Sequence, residues 1–463
     1  MNICLASFGA LLFATSAVYG STYYVAPTGI DTTGNGSAAR PWKTLQYAIT
    51  AIPDDGSTVL VRPGVYNGRI RMNRRFAKKA FLKSEIPYRA KLTAGSEALI
   101  TMYGGANFEL SGFEITRPAG ATGLFLIQVQ NVGTVAENIV IRDNILHDSY
   151  NNDLVKINNG ARKIVVEGNV FYNQNGSDEH IDINGVTDVT VRDNIFFNDF
   201  AGSGRTNKNN TSSFIVIKNS ASLPENKRIK VQRNVFLNWQ GNAGMGFVCV
   251  GEDGKPHHEA DDVTIENNLM LGTTSNSMRA PFIVKGAKNI KFRHNTISGT
   301  FPGQAFAAWL TKYNLNPINS NIAVHNNIWS SPGGAMVDFS DGEPWNTTGE
   351  VLGSNVYWNA GKLIPIDSDI LSFLRDGRAI LEDPKIPAPS SVVLPRWKGT
   401  AFASGRTTIR AEFLRLVDAY ARPRSNSSTV DVGDPTRAPA DDILGKPRGA
   451  KPEAGAYEVP SSL

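Results

Sequence analysis

One short pattern, an apolar strand ending in Asn and followed at once by another apolar residue, recurs seven times between residues 144 and 327. It reads IRDNIL at Asn144, VEGNVF at Asn169, VRDNIF at Asn194, VQRNVF at Asn234, IENNLM at Asn268, FRHNTI at Asn295 and VHNNIW at Asn327. Successive asparagines lie 25, 25, 40, 34, 27 and 32 residues apart. A coil of a parallel β-solenoid takes roughly 20 to 30 residues, so these are coils with loop insertions. At one turn per coil, Asn can take the left-handed conformation and stack into a side-chain hydrogen-bond ladder. The fold expected is all-β, a right-handed parallel β-helix, and the asparagines are structural.

A second strand precedes each of the first six asparagine strands. The six are Ile127-Gln128-Val129-Gln130, Val155-Lys156-Ile157-Asn158, Ile181-Asp182-Ile183-Asn184, Ile215-Val216-Ile217-Lys218, Val248-Cys249-Val250-Gly251 and Phe282-Ile283-Val284-Lys285. Alternation turns the first and third residues of each inward. The others form two outward columns. One is Gln128, Lys156, Asp182, Val216, Cys249 and Ile283; the other is Gln130, Asn158, Asn184, Lys218, Gly251 and Lys285. Adjacent coils lie about 4.8 Å apart, so the Lys, Asp and Asn side chains must meet in one polar groove. The insertion from Asn198 to Ser213, with Gly202, Gly204, Arg205 and Lys208, enters the strand bearing Lys218 and is expected to overhang that groove.

The ends of the chain differ from this middle. Residues 1–20 read as a signal peptide, with an apolar run from Cys4 to Val18 and a cleavage site at Val18-Tyr19-Gly20. That implies a secreted protein, extracellular or periplasmic, in which Cys249 has no intrachain disulfide partner. Residues 21–383 form the expected β-helix, opening with a short amphipathic helix near Leu45 that caps its end. This opening (Tyr23-Tyr24-Val25, Pro41-Trp42-Lys43-Thr44-Leu45) resembles that of secreted pectate-lyase-like β-helix proteins. Residues 384–463 are Pro/Ser/Arg-rich with one amphipathic stretch, Thr407 to Tyr420, and read as an irregular extension packed on the coils. No later segment reaches about 18 apolar residues, so no membrane association is expected, and the chain is expected to be a monomer. The net charge of +5 favours acidic partners. No Lys/Arg block interleaves with aromatics, which argues against nucleic acid.

Chemistry concentrates at one turn-to-strand corner, Asp178-Glu179-His180-Ile181-Asp182, with Asp153 at the matching corner one coil earlier. Crowding four carboxylates without a cation is costly. Oxygen ligands from two adjacent coils suit Ca²⁺, which takes six to eight oxygens at about 2.3–2.6 Å. Lys218 follows Asp182 by 36 residues, on the next groove strand.

This set resembles the site of family 9 polysaccharide lyases, pectate-lyase-like β-helices with an Asp, an Asp-Asp-x-x-Asp cluster one coil later, and a groove lysine one coil further. The resemblance implies that Asp153, Asp178, Glu179 and Asp182 bind Ca²⁺ and that Lys218 is the base of a β-elimination on a pectate-like acidic polysaccharide. Two positions depart from the family pattern: Glu179 stands for Asp, and His180 for Gly. The chemistry it implies is neutralisation of the uronate carboxylate, which makes the C5 proton acidic, followed by its removal. His180 and Lys156 are further candidates for catalysis, Lys156 alternatively as an ion-pair partner of Asp182. Arg205, Lys208, Lys285, Asn184 and Arg279 are candidate substrate-binding residues. A second reading is a polyuronate C5-epimerase or an alginate lyase, because Asp178-Glu179-His180 loosely resembles the Asp-Pro-His of alginate epimerases. A third is a non-catalytic polysaccharide-binding β-helix. The Asp-Asp and Gly-His-Gly motifs of pectin hydrolases are absent. The polar run Asp253, His257, His258, Glu259, Asp261 and Asp262 reads as a solvated loop, with a groove-wall function as the alternative.

Overall fold

A computed structural model describes residues 20–460 apart from 176, 177, 225 and 367. The expected signal peptide therefore lies outside the described residues except for Gly20. The chain forms the right-handed parallel β-helix that the repeat implies. Three sheets run along it, of ten, thirteen and eleven strands, and every strand pairs in parallel with its counterpart one coil on. Each central coil passes through a groove strand such as Ile181–Asn184, a longer strand such as Thr187–Arg192, and a three-residue strand such as Ile195–Phe197.

The alternation read from the sequence sets the groove register. Lys156 pairs with Asp182 and Asp182 with Val216, while Asn158 pairs with Asn184 and Asn184 with Lys218. The inward residues Val155, Ile157, Ile181, Ile183, Ile215 and Ile217 are fully buried in one continuous core. Each contributes roughly 1.5–3 kcal/mol relative to exposure. Phe171, Phe196 and Phe236 stack through that core at centroid separations of 4.9 and 5.0 Å. Val216, Cys249 and Ile283 point outward yet are buried, in a separate apolar cluster with Ala280 and Ala305. The groove floor is thus polar at Asp182 and Lys218 and apolar beyond.

The asparagine ladder forms, with one correction. Each Asn Nδ2 donates to Oδ1 of the next, from Asn144 to Asn169, Asn194, Asn234, Asn268, Asn295 and Asn327, at 2.9 to 3.1 Å. The left-handed residue is not the asparagine but the one before it: Asp143, Gly168, Asp193, Arg233, Asn267, His294 and Asn326 all have φ between 51° and 66°. That kink turns the following Asn into the coil, where its amide replaces the backbone partners that a tight turn loses. An eighth rung, Asn355, continues the ladder to Asp376 Oδ2 at 2.8 Å.

At the N-terminal end the helix Leu45–Ala51, capped by the Thr44 side chain, buries Leu45, Ala48 and Ile49 and touches the strands Thr22–Val25 and Thr58–Val61. The third strand of each central coil is apolar on its outer face too, through Ile145, Val170, Ile195, Val235 and Leu269. The C-terminal helix Ile409–Tyr420 lays Ile409, Phe413, Leu416 and Val417 in the same cluster as this face.

Candidate functional site

The groove strands bring the acidic corner together across two coils. Asp153 and Glu179 occupy equivalent positions, since Leu154 N donates to Glu179 O as Leu126 N does to Asp153 O. Asp153 thus stands level with Glu179 and not with Asp178. Asp153, Glu179 and Asp182 are nearly fully buried, and one carboxylate oxygen from each lies within 4.8 Å of the others. Asp178 is more exposed and lies outside that convergence. Asp153 Oδ1 accepts the Glu179 N–H at 2.9 Å.

Asp153, Glu179 and Asp178 are poorly placed as anions. Burial, with Asp182 close by, pushes Asp153 up to about 7. Burial and then Asp153 hold Glu179 well above the carboxylate range. Burial also raises Asp178. Asp182 Oδ1 is buried with no hydrogen-bond partner. A metal ion fits this donor set: three hard oxygens converge, and one carboxylate oxygen of Asp182 faces no protein donor.

Two ammonium groups meet the same carboxylates. Lys156 Nζ bonds Asp182 Oδ2 and lies 3.7 Å from Asp153 Oδ2. Burial acts to lower Lys156, and Asp182 and Asp153 outweigh it, leaving it raised. Lys156 is thus an ion-pair partner of the corner, and a cation would compete with it for Asp182. Lys218 Nζ lies 3.6 Å from Asp182 Oδ2 on one side, and 2.6 Å from Glu252 Oε2 and 3.7 Å from Asp253 Oδ1 on the other. Here too burial opposes the charge, while Asp182, Glu252 and Glu179 together raise Lys218.

Glu252 and Asp253 were missed as site residues, and the loop that bears them is not a free solvated one. Its centre is Glu259, fully buried, which accepts the backbone N–H groups of Glu252 and Asp253 at 3.0 Å and Lys255 at 3.1 Å, and Asn316 Nδ2 at 2.8 Å. That clamp presents Glu252 to Lys218, while Ser212 Oγ donates to its other oxygen at 3.1 Å. The signal was available: Glu252 follows Gly251, which the column places beside Lys218.

His180 is not in the groove. It is fully buried, its ring stacked on Phe214 at 4.4 Å, with Nε2 3.1 Å from Asn198 Oδ1. Burial lowers it to about 3, so it is a neutral core side chain, and neither a catalytic role nor the epimerase-like motif gains an imidazole in the groove. Three proposed substrate ligands are engaged elsewhere. Arg205 pairs with Asp148 at 2.9 Å and donates to Asn173 O and Ser149 O, which fixes its loop to the wall. Arg279 pairs with Asp341. Asn184 closes a turn with Ser220, at 2.7 and 3.0 Å. Lys208 is exposed on its loop. Lys285 does line a cleft of about 310 Å³ beside the corner, with Asn210, Ser212, Asn242, Met245, Glu252 and Tyr313.

These features define a right-handed parallel β-helix with an acidic corner and a paired lysine on one polar groove. In fold the chain is similar to pectate lyase Pel9A, at 14% identity over 95% of this chain and 96% of that one with a TM-score of 0.50. It is equally similar to XylC, solved with xylose, at 10% identity over 95% and 98% with a TM-score of 0.51. At these identities the likeness establishes the fold alone. No family model matches the sequence, and no curated protein matches it.

Proposed function

We propose that this groove binds a uronate-containing polysaccharide, pectate-like in charge, and cleaves it by β-elimination with Lys218 as the base and Ca²⁺ at Asp153, Glu179 and Asp182. Asp178 is close enough in sequence to join the ligands through its more exposed carboxylate. The observation that carries this reading is the convergence of three buried carboxylates within 4.8 Å, with the Lys218 ammonium 3.6 Å from one of them. Calcium at the corner would supply the positive charge that neutralises the substrate carboxylate and stabilises the enolate-like transition state.

The residues of the chain do the rest. Asp182, Glu252 and Glu179 now keep Lys218 protonated. Engaging Asp182 and Glu179 with a cation removes that support and adds opposing charge, favouring the free amine that can take the C5 proton. Lys218 must also part from Glu252, whose carboxylate stands where a uronate would approach. Because the substrate is a polymer, the reading carries with it an exported protein, acting outside the cytoplasm.

The test is incubation of the purified protein with polygalacturonate, alginate and rhamnogalacturonan, with Ca²⁺ and with chelator. The expected result is an ultraviolet-absorbing 4,5-unsaturated uronide from at least one polymer, lost on chelation. No such product from any polymer, or a rate indifferent to chelation, overturns the reading.

A further inference from the structure

Lys285 is 7% exposed and lines the cleft, yet it makes no ion pair among the described residues. Its Nζ lies 3.6 Å from the Met245 sulfur, 5.2 Å from the Trp309 ring centroid and 5.7 Å from the Tyr313 ring centroid. The amine is thus held by two rings and a thioether, with no carboxylate paired to it among the described residues. The other lysines of the groove, Lys156 and Lys218, are each paired with carboxylates. Nearby Arg279, its guanidinium 4.2 Å from the Trp309 centroid, has Asp341 as its partner. Of the lysines on the groove strands, Lys285 is thus the one with no carboxylate partner among the described residues.

Its surroundings combine an open aromatic ring with polar side chains. Tyr313 is 46% exposed and offers an open ring beside the ammonium. Asn210, on the same cleft wall, has a buried Oδ1 without a hydrogen-bond partner. Asn242 and Ser212 add polar groups to the lining. Lys285 stands in the same outward column as Lys218, with Gly251 between them, so the two are two coil steps apart, roughly 10 Å.

We infer that Lys285, Tyr313 and Asn210 form an anionic-sugar subsite, in which the ammonium binds the carboxylate of a uronate unit further along the chain than the one at Lys218. Tyr313 packs against the ring of that unit, and Asn210 Oδ1 accepts from a hydroxyl. The inference rests on reading the groove as a polyuronate site, but the subsite needs neither the cation nor turnover. It would set where along the polymer the cut falls, because a chain seated on Lys285 is fixed in register relative to Lys218.

The test is calorimetric binding of trigalacturonate and of its methyl-esterified counterpart to the full-length protein in chelator, where no elimination proceeds. Lys285→Met should weaken trigalacturonate binding at least tenfold and leave the ester unchanged, and Lys285→Arg should restore most of the loss. Tyr313→Ala, at an exposed position that does not threaten the fold, should weaken both ligands several-fold. Equal affinity of Lys285→Met and the parent for trigalacturonate, or no measurable binding by the parent, overturns the subsite. Loss of elimination with Lys285-dependent binding intact would instead overturn the reaction and leave the subsite standing.

Discussion

Asn234→Ala should be far more damaging than its small volume change implies. The side chain is fully buried and makes four hydrogen bonds. Nδ2 donates to Asn268 Oδ1 and Val191 O, both at 3.0 Å, and Oδ1 accepts from Asn194 N at 3.1 Å and Asn194 Nδ2 at 3.0 Å. Alanine leaves two buried N–H hydrogens on Asn194 without an acceptor, the backbone N–H and one of the amide's two, the other staying on Val166 O at 2.9 Å. At about 1–3 kcal/mol per buried hydrogen left unpaired, the loss is at most about 2–6 kcal/mol. Backbone strain does not enter, because the left-handed residue is Arg233, not Asn234. Asn144→Ala is the internal control. At the first rung only Phe113 N loses its acceptor, at 3.0 Å, so about 1–3 kcal/mol is expected. Equilibrium urea unfolding followed by far-ultraviolet circular dichroism measures both. A central variant no less stable than the terminal one would refute the ladder as the source of the loss.

Other outcomes follow from single residues. His180→Phe should fold and retain activity within about threefold, because the imidazole serves as a stacked, neutral ring with one hydrogen bond to Asn198; loss of turnover with an intact fold would restore it to the mechanism. Glu453 in the C-terminal extension is raised to about 8, by burial first and then by Glu458. A raised folded-state value gives stability that is full below the unfolded value near 4.5 and is lost as pH rises through about 8. Thermal denaturation across that window should fall with pH, and Glu453→Gln should flatten the slope; an unchanged slope contradicts the assignment.

Much of this structure is local information, which is why it was legible. Strand alternation and coil stacking are set by neighbours in sequence, so the register joining Lys156 to Asp182 and Asn184 to Lys218 could be read directly. His180 escaped because alternation breaks where the strand begins. The residues level with it on other coils are Leu126, Leu154, Phe214 and Phe247, all buried and apolar, and aligning the coils on that position would have shown it facing inward. The arginines escaped for a different reason. Asp148 lies 57 residues before Arg205, and Asp341 lies 62 after Arg279, so no local pattern reports their pairing. The same holds for Glu252, whose approach to Lys218 depends on Glu259 gathering loop amides. Asn355 carries the same Asn-then-apolar pattern, with Ser354 at the left-handed position and the strand Val356–Trp358 after it.

The central claim is that Lys218, beside the acidic corner, removes the C5 proton of a uronate. Its most direct test is the rate of unsaturated-uronide formation by the parent and by Lys218→Ala, in saturating Ca²⁺, with calcium binding and thermal unfolding measured on both. The account requires a fall of about 10²–10⁴-fold or more in turnover, with the fold intact and calcium still bound. A variant that turns over substrate within tenfold of the parent would contradict it.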